Sequence, residues 1–149
     1  MDDDTYSLAD LVEVTGANRR SVQIWAERSV LQALVGTEAA GTGVHRRFTR
    51  DEAIIACVVH AFAMRHIAIG GLLEISAAVR SFIGSDGSLV YAAIGGSGHT
   101  LLNYETWYSK GKLRSEISMG TGGRILANHS GEPGQMSMVI RLETYLSKL

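Results

Sequence analysis

Cysteine, lysine and proline are nearly missing from this sequence. A single cysteine, Cys57, among 149 residues excludes an internal disulfide and a zinc site built from several cysteines. No run of about eighteen apolar residues free of charge is present, so we expect no membrane-spanning helix. The chain starts Met-Asp-Asp-Asp, which is acidic where a secretion signal would be basic. These absences predict a cytoplasmic protein without a membrane partner.

Groups that carry out catalysis or bind metals are also scarce. Metal-ligand spacing is missing among the histidines His45, His66, His99 and His129. The glycine-rich residues 95–98 lack the lysine of a phosphate-binding loop and are better explained as a hairpin turn. Ser97 and His99 lie two positions apart, but proximity in a loop does not define a catalytic triad. We therefore expect no enzyme, no catalytic residue, no metal ligand and no cofactor.

The charge distribution is more informative than the net charge of −1. Apolar residues make up 46% of the chain and charged residues 19%, which predicts one compact globular domain or two small ones. Residues 5–83 contain eight arginines and no lysine, against seven acids. Five of these arginines fall in two short segments: Arg19, Arg20, Arg46, Arg47 and Arg50. Such clustering favours DNA binding over an ordinary solvated surface.

Two short helices are predicted near the start of the chain. Ser7 is followed three residues later by Asp10, the spacing of a helix-capping box. Gly16 suits a tight reversal after the first helix, because glycine adopts positive φ without steric cost. Asn18 would then cap the second helix. The region therefore predicts two helices joined by a glycine-centred turn.

The second helix is predicted to have an inner and an outer face. The side chains expected to pack inward with the first helix are Leu8, Leu11, Val22 and Trp25. The outer face would carry Arg19, Arg20 and Gln23 near the helix start. A helix-turn-helix protein inserts side chains at this position into the major groove of DNA.

A basic hairpin and a third helix are predicted next. Residues 32–47 are rich in glycine and end in His45, Arg46 and Arg47. This composition suits a flexible two-stranded wing whose return strand lies across phosphates or in the minor groove, and a plain surface loop is the alternative. Thr49 and Glu52 have capping-box spacing, in which each side chain satisfies the other's backbone N–H group.

Five pieces of this region resemble, in order, the winged helix-turn-helix of the MerR family of bacterial regulators. They are Tyr6-Ser7, Gly16-Ala17-Asn18, Ser21-Val22-Gln23-Ile24-Trp25, Val30-Leu31, and Arg46-Arg47-Phe48-Thr49 with Glu52. The resemblance covers about residues 5–83, a little over half of the chain. The sequence departs from the family at Ile24-Trp25, where paired aromatics are usual, and at Ser29, where a glycine follows the recognition helix. The wing is also long, and the family's long dimerising helix is not evident.

The resemblance implies a DNA-binding domain over residues 5–84 with double-stranded DNA as the partner. The residues expected to contact DNA are Asn18, Arg19, Arg20, Ser21, Gln23, Trp25, Arg28, His45, Arg46, Arg47 and Arg50. Those of the recognition helix would reach base edges or nearby phosphates, and those of the wing would hold the DNA backbone. Trp25 is expected in the core, with an indole contact to phosphate as the alternative. Metal-sensing members use several cysteines, so that branch is not expected.

The third helix predicts a partner subunit. Residues 53–64 are apolar on nearly every face, and a helix of that kind is buried on all sides. Because the domain is small, we expect the second domain or a partner subunit to cover this helix, and hence a homodimer. Cys57 and His60 would be packing residues in this helix.

A fourth helix should close the first domain. Residues 68–71 predict a break, and the following helix should end near Gly84. Its three-four apolar spacing is carried by Leu72, Ile75, Val79 and Phe82. Residues 85–88 favour a turn and mark the domain boundary.

The remaining residues 85–149 predict a small α+β domain for dimerisation or effector sensing. Strands are predicted at residues 88–94, 100–106, 125–128 and 136–141, and a short helix at residues 142–149. The aromatic side chains expected to form its core are Tyr91, Tyr104, Trp107 and Tyr108, and a pocket for a small-molecule effector is the alternative. The whole chain is therefore expected to be α+β, with a four-helix winged helix-turn-helix domain first and the small domain second.

The function expected from these features is sequence-specific transcription regulation by a dimer bound to an inverted repeat, in the cytoplasm at the nucleoid. An excisionase-like or architectural factor that bends DNA is the first alternative. A protein-interaction module without DNA binding, assembled through the third helix and the C-terminal sheet, is the second.

Overall fold

A computed structural model of the chain describes residues 5–38, 45–96, 100–121 and 136–149. The described residues form an α+β fold with six helices and two small antiparallel sheets. They divide into two compact units, Met1–Ser85 with Lys148–Leu149, and Asp86–Ser147. No helix in the described ranges is long and apolar enough to span a membrane.

The described elements are mainly helical in the first part of the chain and mainly strands in the second. The helices are α1 (Leu8–Thr15), α2 (Arg19–Glu27), α3 (Arg50–Ala63), α4 (Ile69–Asp86), α5 (Ser88–Ile94) and α6 (Leu142–Leu146). The strands are β1 (Tyr6–Ser7), β2 (Arg47–Phe48), β3 (Thr100–Ser109), β4 (Lys112–Thr121) and β5 (Met136–Arg141). In the first unit β1 pairs with β2, and in the second the strand order is β4-β3-β5.

The predicted caps of α1 and α2 are confirmed. The Ser7 hydroxyl accepts a hydrogen bond from the Asp10 N–H at 3.2 Å, while the Asp10 carboxylate accepts one from the Ser7 N–H at 2.7 Å. Gly16 ends α1 with φ of 74°, a left-handed conformation that favours glycine. Asn18 Oδ1 accepts from the Ser21 N–H at 2.8 Å and starts α2. Local capping chemistry therefore sets both helix starts and the turn between them.

Helix α3 is the buried axis of the first unit. All residues from Glu52 to Val59 are buried within the single chain. Most of the run predicted to be buried, residues 53–64, is therefore confirmed as buried, whereas Met64 at its end is 60% exposed. A second subunit is not needed to surround it, so the dimer and the assembly surface that we inferred from this helix lose that basis.

Glu52 does not complete the predicted capping box. Thr49 Oγ1 does accept from the Glu52 N–H at 3.2 Å, but the Glu52 carboxylate is buried and turned to other partners. It accepts from Arg80 Nε at 2.7 Å and Arg80 Nη2 at 3.1 Å, and from the Gln32 N–H at 2.9 Å. The same Arg80 Nη2 donates to the Val30 carbonyl at 3.3 Å. One ion pair thus joins α3, α4 and the segment that follows α2.

The predicted two-stranded wing has a different partner for its return strand. Strand β2 pairs antiparallel with β1, with Ser7 opposite Arg47, and residues 32–38 form no strand. Residues near position 35 still contact β2, since the Leu34 N–H donates to the Arg47 carbonyl at 2.7 Å. The wing tip expected around Gly41 and Gly43 lies outside the described residues.

Helix α4 begins earlier and ends later than predicted. Gly70 and Gly71 lie in its first turn and not in a break, and the helix continues through Asp86. Leu72, Ile75 and Val79 are buried, as their spacing predicted. The turn expected at residues 85–88 is reduced to Gly87, which separates α4 from α5.

The second unit packs two helices against a three-stranded antiparallel sheet. Helix α5 contacts α6, and both contact β3. Thr100 links the three elements, because its N–H donates to Glu143 at 2.6 Å and its hydroxyl donates to the Leu89 carbonyl at 3.0 Å. The strands predicted at 100–106 and 136–141 and the terminal helix are confirmed, and β3 continues to Ser109.

The β3–β4 hairpin was not predicted. Lys110 and Gly111 have φ of 52° and 73°, and two positive φ values in a two-residue turn are typical of type I′. This turn sets the register that runs from Ser109 opposite Lys112 to Thr100 opposite Thr121. The backbone conformation of this turn therefore determines how β4 pairs with β3.

Two predictions for the second unit are wrong. Residues 88–94 form helix α5 and not a strand, because Val90 and Ala93 are buried at helical spacing and two alanines favour a helix. The aromatic side chains do not form one core, since Trp107 lies on the sheet face opposite to Tyr104 and Tyr108. Tyr91 and Tyr108 are exposed. The strand expected at 125–128 lies outside the described residues.

Replacing Arg80 by methionine should strongly destabilise the first unit. The Glu52 carboxylate would stay buried with the Gln32 N–H as its remaining donor among those described above. Breaking a buried ion pair costs about 3–5 kcal/mol, and we expect about 2–3 kcal/mol because the Arg80 side chain is 27% exposed. Urea unfolding measures this loss.

The matched variants make this prediction specific. Adding Glu52→Gln to Arg80→Met should recover part of the loss, because no unpaired charge then remains buried. Arg65→Met removes an exposed guanidinium whose Nη1 donates to the Ala61 carbonyl at 2.6 Å, and it should cost only about 0.5–1.5 kcal/mol because no buried charge is left unpaired. Equal effects of Arg80→Met and Arg65→Met would contradict the role of the ion pair.

Candidate nucleic-acid interface

The start of α2 presents positive charge to solvent. Arg19 and Arg20 are exposed in the first turn, which contains no acidic residue. Helices α1 and α3, in contrast, carry acids in their first turns, where carboxylates offset the positive end of the helix dipole. Two guanidinium groups at this end are electrostatically unfavourable for the isolated helix. The same arrangement attracts an anion such as a phosphate.

The inner face of α2 holds the helix against the core. Val22 is fully buried and Trp25 is 4% exposed, with its ring centroid 6.2 Å from that of His60 in α3. Burial lowers the pKa of His60, so the neutral imidazole is favoured there. Trp25 is therefore a core residue. Because it is buried, we remove it from the residues expected to contact DNA. The preferred expectation for Trp25 was the core.

Two of the other contacts expected on α2 are less exposed than its arginines. Ser21 and Gln23 are half-buried, while Asn18 is exposed and its Oδ1 serves the cap. Gln23 follows Arg20 by three positions and so lies on the same side of the helix. The outer side of α2 therefore offers Arg19, Arg20 and Gln23 to a ligand.

Arg47 is held by its main chain on two sides. It pairs with Ser7 of β1, its N–H donates to Thr37 Oγ1 at 3.1 Å, and its carbonyl accepts from the Leu34 N–H at 2.7 Å. Its side chain is exposed. Ser7 hydrogen bonds, and to a smaller extent the Arg47 charge, hold the pKa of Asp10 below its usual value. The backbone around Arg47 is thus fixed while its cation faces solvent.

Arg46 has a different environment from Arg47. It is half-buried, and its Nε donates to the Glu38 carbonyl at 2.9 Å. It also lines a cavity of about 300 Å³ together with Ala26 and Ser29 at the end of α2. The structure therefore brings Arg46 to the end of the helix that carries Arg19 and Arg20 at its start.

The basic residues lie at both ends of α2. Arg28 caps the helix end and is exposed, and the rise of α2 separates it from Arg19 by about 13 Å. His45 is exposed before β2, and Arg50 is half-buried at the start of α3. Arg19 and Arg20 thus form one group at the start of α2, and Arg28 and Arg46 form a second group at its end.

Metal ligands and the cysteine thiol are the other chemical groups of interest among the described residues. No group of three or more His, Cys, Asp or Glu side chains among them could hold a metal ion. Burial raises the pKa of the Cys57 thiol to about 12, so it is a neutral core group and not a nucleophile. Its Sγ lies 3.7 Å from the Val14 carbonyl oxygen.

Sequence reasoning missed the residues that support the two arginine groups. The Glu38 carbonyl holds the Arg46 side chain, and the Thr37 hydroxyl holds the Arg47 main chain. Arg80 with Glu52 fixes the segment after α2. Main-chain contacts leave no residue-type signature in a sequence. The acidic and basic partners Glu52 and Arg80 are far apart in the chain, so their pairing had no local signal either.

Ser29 occupies a backbone conformation that favours glycine, and Ser29→Gly should stabilise the protein. Its φ is 61°, which costs a non-glycine residue about 1–2 kcal/mol, while glycine loses about 0.4–1 kcal/mol more on folding through its freer unfolded chain. We expect a net gain of about 0.5–1 kcal/mol. Thermal and urea unfolding provide the measurement.

The same substitution at Ser81 is the matched control. Ser81 is exposed within α4, where glycine lowers helix stability, so Ser81→Gly should destabilise. A destabilising effect of Ser29→Gly as large as that of Ser81→Gly would show that the left-handed backbone at Ser29 is not strained.

Comparison with known proteins identifies no family for this chain. No protein-family model matches the chain, and no curated protein matches it in sequence.

Proposed function

We propose that this protein is a sequence-specific, double-stranded-DNA-binding transcription regulator that acts as a dimer on an inverted repeat. The first unit would be its winged helix-turn-helix, with α2 as the recognition helix. One observation carries the proposal: Arg19 and Arg20 are exposed at an acid-free helix start. The inner face of that helix is anchored by buried Val22 and Trp25, so these arginines project from a rigid element.

The residues of this interface would contact different parts of the DNA. Arg19, Arg20 and Gln23 would reach base edges, where a good bidentate contact is worth about 1–3 kcal/mol of discrimination. Arg47, whose backbone is fixed on two sides, would contact phosphate without specifying sequence. Arg46 would support the basic arm, which we define as residues 45–47, because its Nε donates a hydrogen bond to the Glu38 carbonyl.

The charge balance suits a reader of defined sites. With a net charge of −1, the protein would bind DNA weakly through charge alone. Specific contacts, doubled by a dimer on an inverted repeat, would then provide most of the affinity. This property would favour regulation at a few sites in the nucleoid over general coating of DNA.

Arg20→Glu should weaken DNA binding strongly while slightly stabilising the fold. A carboxylate near the start of α2 interacts favourably with the helix dipole, worth about 0.3–1 kcal/mol at an exposed site. Affinity for a 30-base-pair duplex recovered by selection from random sequences should fall at least about tenfold, because a phosphate- or base-contacting cation becomes an anion. Fluorescence anisotropy and urea unfolding measure the two effects on the same sample.

Arg65→Glu makes the same change of charge at an exposed position just beyond the end of α3. Its affinity should stay within about threefold of the original protein at equal salt, since position 65 lies outside α2 and β2. The variant also loses the hydrogen bond from Arg65 Nη1 to the Ala61 carbonyl, so urea unfolding is used to verify that it is folded. If Arg20→Glu and Arg65→Glu weaken DNA binding equally, the recognition-helix assignment fails. Loss of binding in a variant that is more stable cannot be attributed to unfolding.

A further inference from the structure

Strand β4 is a long edge of the sheet in the second unit. It pairs with β3 along its whole length of ten residues, and no described strand pairs with its other edge. The residues from Lys112 to Glu116 are all exposed. An edge strand of this length presents backbone N–H and C=O groups that can pair with another strand.

The two faces of β4 differ in chemistry. Leu113 and Ile117 lie on the face that carries Tyr104 and Tyr108 of β3, and Leu113 is 61% exposed. Arg114 and Glu116 lie on the other face, because successive side chains alternate. Any strand that pairs with β4 must match both patterns.

Glu116 has an unfavourable neighbour inside its own sheet. Its Cα partner in β3 is Glu105, and like charges directly opposite each other destabilise a strand pair. The Glu105 carboxylate accepts from Asn103 Nδ2 at 2.8 Å. A cation placed opposite Glu116 on its outer side would offset this repulsion.

We propose that β4 pairs antiparallel with β4 of a second copy of this chain, with Ser115 opposite Ser115 of the partner subunit. Arg114 then lies opposite Glu116 of the partner subunit, and Glu116 lies opposite Arg114 of the partner subunit. Each opposite-charge pair adds stability to a ladder. The strand is therefore complementary in charge to itself.

Symmetry and charge select this register from the alternatives. Residues that lie opposite each other in a ladder must have their side chains on the same face of the sheet. In a symmetric pair of β4 strands, one residue must therefore lie opposite its own copy, and the two-fold axis passes between these two residues. Centring on Arg114 or Glu116 places two like charges opposite each other. Centring on Ile117 leaves Arg114 opposite Gly120 of the partner subunit. The register centred on Ser115 pairs both charges and creates no like-charge contact.

The same register joins the apolar faces. Leu113 would lie opposite Ile117 of the partner subunit, beside Tyr108, which is 69% exposed. Leu113 and Tyr108 are exposed in the single chain and would gain an apolar neighbour across the new ladder. The described strands would combine into a sheet of six.

This inference names the dimer interface of the proposed DNA-binding function, and it rests on that function only for the role of the dimer. Self-association is measured without DNA, so the two proposals can fail separately. Arg20→Glu should lose DNA binding and keep the dimer. Arg114→Glu should lose the dimer at protein concentrations where Arg20→Glu keeps it.

The test is a charge exchange measured by sedimentation equilibrium. Arg114→Glu and Glu116→Arg each create two like-charge pairs in the ladder, and each should raise the dimer Kd at least about tenfold. The double variant Arg114→Glu/Glu116→Arg restores opposite charges and should return the dimer Kd to within about threefold of the original. An equimolar mixture of the two single variants should form a heterodimer, since every pair in it is again opposite.

A cysteine at the symmetry centre tests the register. Antiparallel partners have Cα atoms about 4.5–5.5 Å apart, within disulfide range, so Ser115→Cys should cross-link on mild oxidation. Ser118→Cys, placed opposite Lys112 of the partner subunit, should not. Cys57 is buried and does not compete. A monomeric original protein, no rescue by the double variant, or equal cross-linking at positions 115 and 118 would each overturn the proposal.

Discussion

The buried contact between Glu52 and Arg80 is the constraint on which the first unit depends. It connects the central helix α3 to α4, and through the Val30 carbonyl and Gln32 N–H it fixes the chain leaving α2. That segment leads to the residues that hold the main chain of Arg47. A carboxylate that the sequence pattern assigns to a local cap therefore positions both the end of the candidate recognition helix and the basic arm.

Several residues of the candidate interface lower the stability of the folded protein. Two arginines replace the acids that the start of α2 would favour, and Ser29 adopts a left-handed backbone just after the helix. Both features lower stability next to a well-packed inner face. Violations of local rules are most common at functional sites, since evolution retains them when a ligand interaction compensates. In the second unit, Glu105 and Glu116 lie opposite each other, and the Glu105 carboxylate accepts a hydrogen bond from Asn103 Nδ2.

The sequence predicted the parts of the fold that local chemistry determines. The caps at Ser7 and Asn18, the glycine reversal at Gly16 and the buried spacing of α4 depend on residues within a few positions of each other. The errors arise where distant residues decide. Strand β2 pairs with β1 about forty residues away and not with its neighbour in the expected wing. Helix α5 was mistaken for a strand because Val90 and Tyr91 favour strands locally, whereas packing at helical spacing prevailed.

The proposal that α2 and β2 read a DNA sequence can be tested by selection from random-sequence duplexes at two salt concentrations, followed by sequencing of the recovered DNA. We expect enrichment of an inverted repeat whose recovery falls as salt rises, because phosphate contacts release counterions. Recovery of unenriched sequences, or no salt-dependent binding at all, would contradict it.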